Sequence, residues 1–171
     1  KEIFTRLESK KIRLTLENLT NYDSDVKKGL LEILSINNST IINYEINENS
    51  LSFFSKDNNN NYDGLLDFKP FYFSANFNYE GLSSKNLQKK DSFFIDIIKS
   101  EILNNKNLNS NINLSVKNIT NIDELNNLLL KIIIEEGEIK FLDSSIMWKD
   151  DLMIILNDSL LSYQNSEINL V

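Results

Sequence analysis

The chain has 171 residues, 41% of them hydrophobic, which is enough to bury a substantial core within one domain or part of a larger one. Its 25 acidic and 18 basic residues give a formal net charge of −7, and the basic residues form no cluster, so nucleic acid is not expected as a partner. The absence of cysteine and histidine excludes disulfides, thiolate nucleophiles, histidine bases and cysteine-type zinc sites, and no cofactor or metal is expected.

The first 39 residues carry only weak structural signals. Residues 12–16 alternate apolar and polar side chains, which predicts a half-buried strand. Residues 26–36 contain an apolar cluster that is compatible with either a strand or one helical turn. We leave residues 1–39 unassigned to a domain and expect strands that continue from upstream. The chain starts at Lys1 rather than Met and stops within an apolar alternation, as a fragment of a larger β-rich protein would.

Residues 40–54 have the pattern of a β-hairpin. Its two arms alternate apolar and polar side chains, and its turn falls at residues 47–49, where two asparagines tolerate positive φ. Residues 57–61 lack apolar side chains, which predicts an exposed loop before the alternation restarts at Leu66.

The strongest strand signal is the aromatic run from Phe71 to Tyr79. One face of this strand carries Phe71, Phe73, Ala75, Phe77 and Tyr79, and the other carries mostly polar residues. Pro70, the only proline, stands directly before the run. Because proline cannot donate a hydrogen bond to a ladder, we expect an edge or a bulge there.

Residues 91–104 change to helical spacing and predict one amphipathic helix, which we expect to pack on the sheet because its exposed face has mixed charge. Strand alternation then returns in short segments, with a hairpin turn at Glu136-Gly137; the segments are 112–116, 128–134, 139–141, 146–148, 152–156, 160–163 and 168–170. The predicted fold class is therefore mainly β with one α-helix, an antiparallel meander of short strands that forms a curved sheet or groove.

Paired acidic groups are candidate catalytic carboxylates, since two carboxylates are the minimum for glycoside hydrolysis. They occur at Asp23/Asp25, Glu135/Glu136/Glu138 and Asp150/Asp151. All fall in predicted turns, and acidic side chains are usually exposed, so we expect solvated turns and no enzyme. The tract 57–63 resembles a calcium loop, but Tyr62 replaces the required glycine and Phe68 the final carboxylate.

The aromatic face of residues 71–79 has two interpretations. In the first, the face packs as core against the predicted helix, because apolar strand faces usually meet another element. Alternatively, it forms a wall that contacts a ligand, because aromatic rings offer a large apolar area. The residue pattern by itself favours core packing, and Trp148 is expected to be a core or rim aromatic.

Several segments, taken in order, resemble the AsmA-like family of bacterial envelope proteins, in the form found in alphaproteobacteria. The resemblance rests on Leu51–Ser55, Gly64–Phe71, the amphipathic helix, Asn111–Leu114, Glu136–Ile139 and Ser144–Lys149, and it covers residues 40–171. It implies a periplasmic protein anchored to the inner membrane by a segment outside this chain, with amphipathic strands that curl into an apolar groove. Such proteins are linked to outer-membrane biogenesis and, in related members, to phospholipid transfer.

The family has no catalytic motif to carry over, so the lining positions are inferred from the strand pattern. The lipid-contacting residues are expected to be Phe71, Phe73, Phe77 and Tyr79, with phospholipid and neighbouring domains of the same chain as partners. The alternative hypothesis is a structural or interaction module, in which the same residues form a sealed core and no lipid is bound.

Overall fold

The computed structural model describes residues 2–9, 14–21, 26–35, 38–55, 60–84, 103, 105–164 and 167–171. These residues form fourteen β-strands in a single sheet. The predicted mainly β fold is confirmed, because the described chain is almost entirely strand and the sheet is open, curved and antiparallel at nearly every pairing, while the predicted helix stays a prediction.

The strands follow the chain order and several are longer than predicted. Their bounds are β1 (Glu2–Ser9), β2 (Leu14–Asn21), β3 (Lys27–Ser35), β4 (Asn38–Ile46), β5 (Ser50–Phe54), β6 (Asn60–Phe68), β7 (Phe71–Ser83), β8 (Asn109–Thr120), β9 (Leu125–Glu135), β10 (Glu138–Phe141), β11 (Ser144–Trp148), β12 (Leu152–Leu156), β13 (Ser159–Gln164) and β14 (Glu167–Leu170).

The first nine strands lie side by side in chain order, and the pair formed by β7 and β8 is parallel. Ser83 at the end of β7 and Asn109 at the start of β8 therefore lie at opposite ends of this pair. Parallel neighbours need a connection of a dozen or more residues, which is usually helical. The helix predicted at residues 91–104 falls within this connection, and apart from Leu103 it lies outside the described residues.

The last strands form one long hairpin that is bent in the middle. β10 and β11 both pair with the same edge of β9, while β13 pairs with β10 and β12 pairs with β11. The register is unbroken across the bend, since Phe141 is opposite Ser159 and Ser144 is opposite Leu156. Asp143 and Asp158 have positive φ values of 45° and 51°, so both strands kink at the same level.

The hairpin predicted over residues 40–54 is confirmed as β4 and β5. The Asn47 side-chain oxygen accepts hydrogen bonds from the backbone N–H groups of Asn49 at 2.8 Å and Ser50 at 2.9 Å, which fixes the turn. Residues 26–36 are compatible in sequence with a strand or a helical turn, and the structure shows a strand there. This is β3, which pairs with β4 along its whole length.

Two local predictions are wrong. Pro70 is at neither an edge nor a bulge but lies with Lys69 in the turn that joins β6 to β7, closed by the pair of Phe68 and Phe71. A turn position requires no ladder hydrogen bond from proline. The exposed loop predicted over 57–61 is wrong at Asn60 and Asn61, which begin β6, because pairing with the long β7 overrides the weak strand preference of asparagine. Residues 57–59 lie outside the described residues.

All fourteen described strands belong to one sheet, and the pairs of strands in extensive contact are all sheet neighbours. Among the described side chains, the buried apolar ones are Tyr44, Tyr62, Ala75, Val116, Ile119, Ile134 and Ile139. Most other side chains on the inner strands are only partly buried.

Candidate functional site

The register places the four predicted lipid-contacting residues on one apolar face of the sheet, here called the aromatic face. Directly paired residues share a face, so this face extends from β7 to both sides. It includes Tyr44, Leu51, Phe53, Tyr62, Leu66, Phe71, Phe73, Phe77, Tyr79, Ile112, Leu114, Val116, Leu128, Leu130, Ile132 and Ile134.

Aromatic rings from neighbouring strands contact one another on this face. The rings of Phe53 and Phe73 are stacked with centroids 5.9 Å apart, and those of Phe77 and Tyr79 are stacked at 6.3 Å. Tyr62 meets Phe77 at 6.1 Å in a tilted arrangement. These separations lie in the favourable range for aromatic pairs, so the rings form a connected cluster over β5, β6 and β7.

Two glycines allow the rings to lie flat against the sheet. Gly64 is paired with Phe53, and a Cβ on Gly64 would collide with the Phe53 ring and lie 2.7 Å from the Ser74 carbonyl oxygen. Gly29 is paired with Tyr44 and has the same relationship to the Tyr44 ring, whose hydroxyl donates to Asn18. Each aromatic therefore crosses a glycine and reaches the next strand, a device that stabilises glycine-containing sheets.

Exposure varies along the aromatic face. Phe71, beside the turn at its end, is 44% exposed, whereas Phe73, Phe77 and Tyr79 are half-buried. Ala75, at the centre of β7, is 1% exposed. The predicted residues therefore share one face, as expected, but they differ in their access to solvent.

Few polar groups interrupt this face. The Tyr62 hydroxyl donates to the Ile41 carbonyl oxygen at 2.7 Å, so its polar end is satisfied. Burial raises the pKa of Tyr79 above its usual 10.0, and the neighbouring Tyr62 adds to this effect. Ser110 is 3% exposed, and its hydroxyl has no hydrogen-bond partner in the described part of the chain.

Over β6, β7 and β8 the opposite face is mostly polar, although Leu65 and Tyr72 also lie on it. Asn113 donates to Asn76 at 3.0 Å, and Asn76 donates to Asp63 at 3.0 Å, so one amide and carboxylate chain crosses β8, β7 and β6. Lys117 Nζ lies 2.8 Å from Glu80 Oε1 on the same face. Exposed pairs of this kind contribute little to stability, but they distinguish the solvated face from the aromatic one.

The remaining candidate groups take up ordinary exposed positions. Of the acidic groups, Glu135, Glu136, Glu138, Asp150 and Asp151 are exposed in or beside turns, as predicted, while Asp23 and Asp25 lie outside the described residues. Trp148 is a rim aromatic, 43% exposed, with Lys149 Nζ 5.7 Å from its ring. Within the described ranges no cluster of metal-ligating side chains occurs.

Sequence reasoning did not include Tyr44, Phe53 and Tyr62 in the site. Their own strands were recognised or partly recognised, but only the pairing register shows that they share a face with Phe73 and Phe77. The available signal was Gly64, an isolated glycine in a strand, which marks a close approach by another group. Taken together, these contacts define the described strands as an amphipathic β-sheet with a continuous aromatic face.

In comparisons with known proteins, no family model, no curated protein and no solved structure matches the chain. In the described residues, no helix combines the length and hydropathy that a membrane span requires.

Proposed function

We propose that the chain is a non-catalytic segment of an AsmA-like envelope protein, periplasmic and anchored to the inner membrane by a segment outside this chain, and that it serves outer-membrane biogenesis. In this proposal the aromatic face forms one wall of a groove that contacts phospholipid acyl chains. The observation that carries it is that one face of β6, β7 and β8 is largely apolar while the opposite face of the same strands is mostly polar.

The size and chemistry of the aromatic face suit an acyl chain. Strands lie about 4.8 Å apart, so the face from β4 to β9 is about 24 Å wide. Each CH₂ group removed from water contributes about 0.8 kcal/mol, so a chain laid along such a surface binds without any polar anchor. The scarcity of polar groups among the rings is therefore compatible with this ligand class.

The competing hypothesis is a structural or interaction module whose aromatic face is sealed by another part of the protein. The buried Ala75 and Val116, each 1% exposed, favour that reading at the centre of the sheet. The exposed Phe71 favours lipid access at the end of β7. The two hypotheses therefore differ in whether the rings of β7 are accessible to a lipid.

Site-specific photocrosslinking distinguishes them. Phe71 and Tyr72 are adjacent aromatics with similar exposures of 44% and 36%, but they lie on opposite faces of β7. We expect a benzophenone side chain at position 71, 73 or 77 to label phospholipid in vesicles or cell extracts, and the same group at position 72 to give background labelling. Equal labelling at positions 71 and 72, or none at either, would refute the groove and leave the sealed module.

A further inference from the structure

The connection between β7 and β8 passes over one face of the sheet. The two strands are parallel neighbours, so the chain leaves β7 at Ser83 and enters β8 at Asn109, at the opposite end of the pair. Residues 84–108 therefore return along the length of both strands. Connections of this kind are right-handed in about 98% of cases, so the side of β7 on which β8 lies decides which face is crossed.

The backbone of β7 shows on which side β8 lies. The Ser74 carbonyl oxygen faces β6, since it lies 2.7 Å from the position of a Cβ on Gly64. Successive residues of a strand direct their N–H and C=O groups to alternate sides, so those of Phe73 and Ala75 are directed to β8. For an L-residue whose side chain points to the observer on a strand that runs upwards, these groups point to the right. Viewed from the aromatic face, β8 therefore lies to the right of β7.

A right-handed connection consequently crosses the aromatic face. A chain that leaves the top of one strand and enters the bottom of the strand to its right turns in the right-handed sense only when it passes on the observer's side. The helix predicted at residues 91–104 belongs to this connection, and its apolar side consists of Phe93, Phe94, Ile97, Ile98 and Ile102. An apolar side on the connection matches the apolar face that it crosses.

Burial independently marks a covered part of the same face. Val116 on β8 and Ile134 on β9 are each 1% exposed, and Ile139, which is paired with Ile134, is 5% exposed. All three lie on the aromatic face, whereas Leu129 on the opposite face of β9 is 49% exposed. Neighbouring strands shield a side chain only from its flanks, so nearly complete burial requires contacts above the face as well. The handedness of the connection and the burial therefore select the same face.

We propose that residues 91–104 form an amphipathic helix that packs on the aromatic face over β8 and β9, and that the aromatic rings of β5 to β7 are left to contact a ligand. A helix is about 10 Å across and neighbouring strands are about 4.8 Å apart, so one helix covers two strands. The half-buried rings of Phe53, Phe73 and Phe77 then lie beside the helix. Contact of these rings with an acyl chain rests on the function proposed above, whereas the position of the helix does not.

Cysteine crosslinking tests the position of the helix, because the chain has no cysteine of its own. Ile98→Cys is combined with Leu114→Cys, on the aromatic face of β8, or with Ser115→Cys, the next residue and on the opposite face. We expect a short bismaleimide to link the first pair within one chain and to leave the second pair unlinked, as measured by mass spectrometry. Ile97→Cys repeats both combinations from the adjacent apolar position. Linkage to position 115, or to neither position, would overturn the proposal.

Photocrosslinking separates the position of the helix from the binding of lipid. A benzophenone side chain in place of Phe53 should label lipid in vesicles of phosphatidylethanolamine and phosphatidylglycerol, and the same group in place of Leu130, on the aromatic face of β9, should not. Labelling at both positions would show that β9 is uncovered and would overturn the proposal. Linkage of positions 98 and 114 without lipid labelling at position 53 would support the helix position and refute the lipid-binding function.

Discussion

The ring of Phe53 on β5 crosses Gly64 on β6 and stacks on Phe73 of β7, with centroids 5.9 Å apart and planes 10° apart. This relationship joins three strands by a contact between residues that are not directly paired. It depends on the missing side chain at position 64, because any Cβ there would occupy the space that the Phe53 ring fills.

We therefore expect Gly64→Ala to destabilise the fold. The new methyl group must displace the Phe53 ring and also lies 2.7 Å from the Ser74 carbonyl oxygen, which is backbone and cannot easily move. Overpacking of this kind costs about 1–3 kcal/mol, which urea denaturation would measure as a lower free energy of unfolding.

Gly81→Ala is the matched control. Gly81 lies on the same sheet in β7, but the nearest atom to an added Cβ is the Asn118 carbonyl oxygen at 3.8 Å, which is an ordinary contact. This variant should be neutral or slightly stabilised, because alanine reduces the entropy of the unfolded chain. Equal losses at both glycines would mean that strand propensity, rather than the Phe53 ring, explains the effect.

The stacking of Phe53 on Phe73 also shows which features of the site the sequence can predict. The two faces of β7 were predictable, because an alternation of period 2 directly reports which side chains share a face. It does not report the partner strand, so the stacking of Phe53 on Phe73 was not predictable. The signal for the parallel pairing of β7 with β8 was instead the helix predicted between them. The site was therefore recognised as one strand, whereas the structure makes it a surface shared by several strands.

Pairing with a neighbouring strand also overrides the intrinsic strand preference of single residues. Asn60 has a low strand preference, yet it joins β6 because it is paired with Tyr79 on a long neighbour. The bend at Asp143 uses positive φ at a residue other than glycine, which leaves no clear sequence signal. In contrast, Glu136-Gly137 was predicted as a turn because glycine tolerates positive φ.

A second prediction concerns two buried serines, one with a hydrogen-bonded hydroxyl and one whose hydroxyl has no partner among the described residues. At the bend after β10, Ser144 is 0% exposed and its hydroxyl accepts a hydrogen bond from the Lys131 backbone N–H at 3.0 Å. Ser144→Ala removes that acceptor and should destabilise the fold by about 1–3 kcal/mol. Faster hydrogen exchange at the Lys131 amide would assign the loss to this contact.

Ser110→Ala should have the opposite effect on the free energy of unfolding. The Ser110 hydroxyl is also buried, but it has no partner in the described part of the chain, so replacing it with a methyl-sized group removes an uncompensated polar atom. We expect no loss or a gain of about 1 kcal/mol in the free energy of unfolding. A loss comparable to that of Ser144→Ala would show that Ser110 has a hydrogen bond in solution.

A third prediction is that Glu136→Asn stabilises the hairpin of β9 and β10. Glu136 has φ of 52° and precedes Gly137 at 83°, a two-residue turn with both φ values positive. Asparagine adopts this conformation more readily than glutamate, and the change also removes one of the three carboxylates at positions 135, 136 and 138. The gain should be about 0.5–1 kcal/mol, measured by thermal or urea unfolding.

Glu136→Gln separates the two causes of this stabilisation. Glutamine removes the charge but keeps a side chain poorly suited to positive φ, so it should recover only the electrostatic part of the gain. If glutamine stabilises as much as asparagine, repulsion among the carboxylates is the main cost at this turn and backbone conformation is a minor one.

The last prediction uses the pKa of Tyr79, which burial raises above 10.0, with a further contribution from Tyr62. A raised pKa means that folding favours the neutral hydroxyl. The resulting contribution to stability is fully present below pH 10.0 and is lost as pH rises through the folded-state pKa. The free energy of unfolding of wild-type protein should therefore fall more steeply above pH 10.0 than that of Tyr79→Phe.

Spectrophotometric titration provides an independent measure of the same group. The difference between the tyrosinate absorbance of the wild type and that of Tyr79→Phe isolates one hydroxyl, which should titrate above pH 10.0 in the folded protein and return to the ordinary pKa in concentrated urea. Identical midpoints in the two conditions would show that Tyr79 is solvated. They would also contradict its half-buried position beside Phe77 on the aromatic face, because desolvation is the main cause of the shift.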